Sequence, residues 1–169
     1  KERLPELQLV LAVAPSLEPG VVESIISTSG ISRGSGLEVK IIPGKSDEVI
    51  SASDVVVVAS GTATLQAAIH EIPMVIVYRV SGLTYLLGKM LIHTEHIGLA
   101  NVVAQERIVP ELLQSRVTAR AIEGEVYRML TDSAYAERIR KGLSQVRARL
   151  GSPGASSRAA RIILDFPSP

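Results

Sequence analysis

Ser60, Gly61, Thr62, Ala63 and Thr64 stand directly after a run of valines in DVVVVASGTATLQAAIHEIP, which spans Asp54 to Pro73. Val55 to Val58 lack alternation, the pattern of a strand covered on both faces, and Gly61 permits a turn that residues with a Cβ resist. A strand that breaks at Ser-Gly and restarts at once as a helix leaves backbone N–H groups pointing outward. Ser60, Thr62 and Thr64 add hydroxyls beside those amides and the positive end of the helix dipole, a combination that binds a phosphate. The same residue types also cap helices without any ligand.

The elements that hold this turn alternate between strand and helix, which implies a parallel sheet between helical layers, an α/β fold. Leu9 to Val13 reads as a strand. Pro19 suits the first turn of a helix running to about Ser27, with Gly30 as its stop. Leu37 to Ile42 is a second strand, and Ser46 is expected to cap a short helix whose first turn carries Asp47 and Glu48. After the Ser60 turn and its helix, Pro73 opens a fourth strand over Met74 to Val77. Leu83 to Ile92 reads as an apolar helix containing Gly88, and a last short strand is expected around Ile97 to Val103. Beyond Pro110 come charged helices over Glu111 to Gln114, Thr118 to Leu130 and Ser133 to Leu150. Ala121, Ile122, Val126, Met129 and Leu130 share one apolar face; Ile139, Leu143, Val146 and Leu150 share another. Gly151-Ser152-Pro153-Gly154 is a break, which divides the chain into residues 1–150 and a terminal segment, 151–169. Within that segment Ser156 to Asp165 reads as a helix returning to the sheet or to a partner domain.

The 169 residues, 46% of them hydrophobic, suffice for one domain with a sizeable core. A formal charge of +1 and 3% aromatic content argue against a nucleic-acid surface. Without cysteine there is no disulfide scaffold, thiolate zinc site or cysteine nucleophile, and the composition is compatible with a reducing cytoplasm. Lys1 and the opening KERLPELQLVLAV suggest a helix tail running into a strand, hence residues upstream. No stretch has the length and polarity of a signal peptide or a spanning helix.

The run ASGTATLQAAIHEIPMVIVYRVSGLTYLLGKMLI, followed by GLANVVAQERIVPELLQ, resembles the carboxy-terminal half of lipid-A-disaccharide synthases, over roughly Gln8 to Phe166. The resemblance implies the second, donor-binding Rossmann-like domain of a GT-B glycosyltransferase. Its reaction transfers 2,3-diacylglucosamine from UDP-2,3-diacylglucosamine to 2,3-diacylglucosamine 1-phosphate (lipid X), forming the β-1,6 disaccharide of lipid A and releasing UDP. Inversion at the sugar carbon needs a base, which the resemblance assigns to an amino-terminal domain, so no catalytic residue is expected in this chain. What remains should hold the leaving diphosphate through Ser60, Gly61, Thr62, Ala63 and Thr64, with neither metal nor cofactor. No acidic pair of the Mg²⁺-carrying kind is evident.

Gln66 stands where related GT-B enzymes put a Glu that accepts hydrogen bonds from both ribose hydroxyls. Its amide accepts one such bond in place of a charge-assisted pair, a loss of roughly 1–2 kcal/mol in nucleotide affinity; alternatively it is a plain helix-surface residue. Arg79, at the carboxyl edge of the fourth strand, suits donor or pyrophosphate contact, or else an ion pair with Glu95 or Glu106. Asn101 occupies the place of the family's Leu-Pro-Asn, with Ala100 where the family has Pro, and offers its amide to the donor. Glu106-Arg107 matches the family's polar dipeptide near the cleft.

His93 and His96 have helical spacing for a shared metal but no evident third ligand, and read as surface histidines. His70, at a helix end, favours the dipole when protonated. Asp54 turns the chain. The LTYLLGKMLI helix either lines an acyl groove or rests on a bilayer with Lys89 toward phosphates, or it packs inside the domain. The basic run Arg138, Arg140, Lys141, Arg147 and Arg149 reads as a solvated face, with attraction to an anionic membrane as the alternative. The implied location is cytoplasmic, peripheral at the inner face of a Gram-negative inner membrane, and a homodimer is among the assemblies left open. A UDP-N-acetylglucosamine 2-epimerase, another GT-B enzyme and a non-catalytic nucleotide-binding module share the phosphate turn. Dinucleotide oxidoreduction is the weakest reading, since no G-x-G-x-x-G follows the first strand.

Overall fold

The computed structural model describes residues 4–28, 38–81 and 96–165. The Leu83 to Ile92 helix, Lys89, His93 and the Gly30 stop lie outside these residues. Strand β1 (Leu9–Val13) leads through helix α1 (Pro19–Thr28) to β2 (Val39–Pro43), and the two strands pair in parallel with Leu9 opposite Val39. Pro19 opens α1 as its fixed φ favours. Helix α2 (Ser46–Ser51) begins at Ser46 itself. Lys45 is its N-cap, without a side-chain hydrogen bond, so Ser46 does not cap it, although Asp47 and Glu48 do occupy the first turn.

A second sheet follows in the order β3-β4-β5, all parallel, built from β3 (Val56–Ala59), β4 (Met74–Tyr78) and β5 (Glu111–Leu113). Helix α3 (Ala63–Ile69) connects β3 to β4, and α4 (Leu99–Ala104) precedes β5. These parallel sheets and flanking helices make the α/β architecture that the alternation of elements predicts. Burial is deepest in β4, where Met74, Val75 and Ile76 are wholly enclosed. In β3 the expectation of cover on both faces fails among the described residues, since Val58 is buried while Val57 is 47% exposed.

Two further expectations are corrected. Residues 99–104 form a helix where a strand was anticipated, and Glu111–Leu113 is a strand followed by a 3-10 turn at Gln114–Arg116 where a helix was anticipated. Glu, Leu and Gln are good helix formers, but Pro110 biases Val109 toward extended backbone, and its carbonyl accepts a hydrogen bond from the Ile76 N–H. Pairing with β4 then outweighs local propensity, with Leu112 opposite Val77.

Helices α5 (Ala119–Thr131) and α6 (Ser133–Leu150) complete the described core. The Thr118 hydroxyl and the Asp132 carboxylate cap them, accepting from the Ala121 and Tyr135 amides. Met129 on α5 and Ile139, Leu143 and Val146 on α6 are buried in the same cluster as β4, as their spacing predicts; Leu150, at the end of α6, is exposed. Gly142 brings α6 so close to Ile108 that a Cβ there would stand 2.9 Å from two of its side-chain carbons. Helix α7 (Ala155–Leu164) does not return to the sheet within the described residues, and Ile162, Ile163 and Leu164 are exposed.

Tyr135 ties α5 to α6. Its hydroxyl donates to Glu125, and the Arg128 guanidinium lies 3.9 Å from the ring centroid. Burial, then the hydrogen bond and negative charge of Glu125, push the phenol pKa from 10.0 to about 12. A raised folded pKa stabilises the fold fully below pH 10.0 and loses that contribution as the pH rises through about 12. Spectrophotometric titration should accordingly find one tyrosine ionising late, and in Tyr135→Phe the fall in thermal stability over this pH window should be shallower.

Candidate functional site

Ser60 leaves β3 at the carboxyl edge of the sheet, with its N–H still bonded to the Val77 carbonyl. Gly61 then takes φ +152°, a region that L residues rarely adopt, although nothing lies within 4 Å of a Cβ built on it. The requirement for glycine is therefore conformational rather than spatial. Thr62 re-enters helical geometry, and the Thr64 and Leu65 amides bond back to the Gly61 and Thr62 carbonyls. The N–H groups of Gly61, Thr62 and Ala63 have no hydrogen-bond acceptor among the described residues. Such a set of adjacent amides attracts an anion. Helix α3 has only seven residues, so these N–H groups, rather than a long helix dipole, supply the attraction.

The three hydroxyls do not act alike. Thr64 is fully buried and donates to the Gly61 carbonyl, so it holds the turn from within. Ser60 donates across 37 residues to the Ile97 carbonyl at 3.0 Å, which commits its proton to the fold and leaves its oxygen as an acceptor. Thr62 is exposed, and its hydroxyl has no hydrogen bond among the described residues. Gln66 is half-buried one turn along α3, with no side-chain hydrogen bond within the described residues.

On the neighbouring strand, Arg79 follows β4 and is exposed, with no ion-pair partner among the described residues. Its backbone is fixed nonetheless. The Gln114 side chain accepts from the Val80 N–H at 2.9 Å and donates to the Val80 carbonyl at 3.1 Å, a two-bond clamp on the loop beyond Arg79. Arg107 donates to the Glu111 carbonyl, and Glu106 is exposed.

Asn101 does not offer its amide to a ligand. It is fully buried, its NH₂ donates to the Val109 carbonyl and the Glu111 carboxylate, and its oxygen accepts from the Ile108 and Val109 amides. Every hydrogen-bonding capacity of the side chain is thus spent inside the fold. Glu111, which the reading of 111–114 as a charged helix passed over, is the centre of this network. Its Oε1 accepts from the Gly98 N–H and Asn101, and its Oε2 accepts from the Ile97 N–H. A buried carboxylate is stable in such a setting because its hydrogen bonds are charge-assisted. The available signal was an acidic residue directly after Val-Pro in an otherwise apolar strand.

A family model described as lipid-A-disaccharide synthetase matches residues 1–166. The chain belongs to the lipid-A-disaccharide synthase family. Among similar proteins, a lipid-A-disaccharide synthase of Geobacter sulfurreducens is 42% identical over 166 residues, covering 98% of the chain and 42% of that protein. A synthase of Geobacter metallireducens is likewise 42% identical, with 98% and 42% covered. One of Myxococcus xanthus is 39% identical over 165 residues, again with 98% and 42% covered. The chain therefore spans less than half the length of these synthases.

Elsewhere, His70 Nε2 lies 3.1 Å from Asp47 Oδ1, a partner beyond the helix end where it was expected to act. Of the basic run on α6, Arg140 pairs with Glu137, Arg147 with Glu71, and Arg149 donates to the Val103 and Ala104 carbonyls at the end of α4. Arg138 faces the Tyr135 ring, so most of these cations already have partners within the fold. No helix among the described residues is long and apolar enough to cross a membrane.

Proposed function

We propose that this chain is the donor-binding part of a lipid-A-disaccharide synthase, which transfers 2,3-diacylglucosamine from UDP-2,3-diacylglucosamine to lipid X and releases UDP. The observation that carries the reading is the turn at Ser60 to Ala63, with three adjacent N–H groups that have no acceptor among the described residues, at the carboxyl edge of a parallel sheet, in a chain of this family. In this reading the donor diphosphate lies against the Gly61, Thr62 and Ala63 amides and the Thr62 hydroxyl, while Ser60 and Thr64 keep the turn in shape. Gln66 accepts one ribose hydroxyl. Arg79, exposed at the same sheet edge, brings a guanidinium to the pyrophosphate, and Glu106-Arg107 borders the sugar side. The leaving group's charge is met by these hydrogen bonds and by Arg79.

The general base for the acceptor hydroxyl belongs to the remaining part of the synthase, an amino-terminal domain facing this one across the donor. Residues 1–150 form the nucleotide-sugar domain and residues 151–169 a segment that packs on that other domain. The site of action is the cytoplasmic face of the inner membrane, where the acylated substrates are reached.

Calorimetric titration of the complete polypeptide with UDP tests the site. Thr62→Ala combined with Gln66→Ala removes two hydrogen bonds, and at about 1 kcal/mol each the affinity should fall roughly tenfold to thirtyfold. Equal affinities would remove the site assignment. Formation of disaccharide and UDP from the two lipid substrates tests the reaction itself.

A further inference from the structure

One peptide unit joins the proposed donor turn to the buried carboxylate. The Ile97–Gly98 peptide accepts from the Ser60 hydroxyl through its C=O at 3.0 Å and donates to Glu111 Oε1 through its N–H at 3.0 Å. A second bond from the Ile97 N–H to Oε2 fixes the residue from its other side. Glu111 is itself held by Asn101 at 2.7 Å and by its place in β5 opposite Ile76. There is little room to readjust, because a Cβ at Gly98 would collide with the Ile76 side chain and stand 3.2 Å from Glu111 Oε1. Hydrogen bonds arranged in series through a peptide polarise one another, so a full negative charge at one end strengthens the bond at the other.

We propose that Glu111 is a positioning residue for the donor turn, acting through the Ile97–Gly98 peptide on Ser60. This inference rests on the reading of the Ser60 turn as the diphosphate site. The carboxylate touches no substrate. It fixes where residues 97 and 98 lie, the Ile97 carbonyl then fixes the Ser60 hydroxyl, and Ser60 sets the start of the turn that displays the Gly61 to Ala63 amides.

Glu111→Gln separates this role from general packing. Glutamine has nearly the same volume, but in either orientation its NH₂ faces an N–H donor, of Ile97 or of Gly98 and Asn101. In the complete polypeptide, UDP affinity is measured for wild type, Glu111→Gln, Ser60→Ala and the double variant. Hydrogen exchange over residues 60–66 and 97–98 is followed without nucleotide. The expected result is about a tenfold loss of affinity in Glu111→Gln, a double variant no more than about twofold weaker than the weaker single, and faster exchange over 60–66. Additive affinity losses together with unchanged exchange over 60–66 would overturn the proposal and leave Glu111 a packing residue. If Glu111→Gln fails to fold, Ser60→Ala decides: faster exchange at 97–98 supports the link and unchanged exchange refutes it. If wild type binds no UDP, the donor-site reading falls, and the exchange results alone decide whether Glu111 positions the turn.

Discussion

Replacing Asn101 by leucine should destabilise the protein by about 3–5 kcal/mol, with a clear fall in the denaturation midpoint. Leucine has as many side-chain heavy atoms as asparagine and is no smaller, so the loss does not come from a cavity. It comes from hydrogen bonds lost inside the fold: the Val109 amide and carbonyl lose their Asn101 partner, the Ile108 amide keeps only the Glu106 carbonyl, and Glu111 Oε1 keeps only the Gly98 N–H. Each unsatisfied buried group costs about 1–3 kcal/mol, and relaxation recovers part of the sum. The carboxylate is the most serious of these, since it also loses the donor at 2.7 Å. Urea titration followed by circular dichroism measures the effect. A loss below about 1 kcal/mol would mean that the network is much weaker than its geometry implies. The substitution should also loosen α4, because Asn101 links that helix to the approach to β5.

Gly61→Val should reduce UDP affinity by about ten- to a hundredfold, while costing the fold only about 1–3 kcal/mol. The positive φ at Gly61 is open to glycine and unfavourable for a β-branched residue, yet a side chain there meets no neighbour. Strain is then relieved by rotating the backbone rather than by moving the core. Rotation redirects the Gly61 and Thr62 N–H groups, the ones proposed to face the diphosphate. Calorimetry with UDP and a thermal melt of the same sample separate the two effects. Unchanged affinity in a folded variant would show that the turn does not hold the nucleotide.

These two expectations differ in how far each was legible before the fold was known. The strand, glycine turn and helix from Asp54 to Pro73 are local, and four valines, a Ser-Gly break and a proline stop specify them within one stretch of chain. The faces of α5 and α6 were readable for a similar reason, since a 3.6-residue period repeated over three or more turns is hard to satisfy by chance. Where a segment was short, local preference misled. Leu99–Ala104 carries β-branched residues yet is a helix, and Glu111–Leu113 carries helix formers yet is a strand, because long-range contacts outweigh the small propensities of three to six residues.

The amino-acid sequence by itself determined the α/β alternation, the glycine turn and membership of the synthase family, all of which are written in neighbouring residues or in their order. Only the tertiary structure decided which polar side chains are spent within the fold. Ser60 meets Ile97 across 37 residues, Gln114 clamps Val80 across 34, and Glu111 gathers Ile97, Gly98 and Asn101. Hydrogen-bond partners depend on atoms coming within about 3 Å, and parallel crossovers bring distant segments to that distance without leaving any periodic trace in sequence.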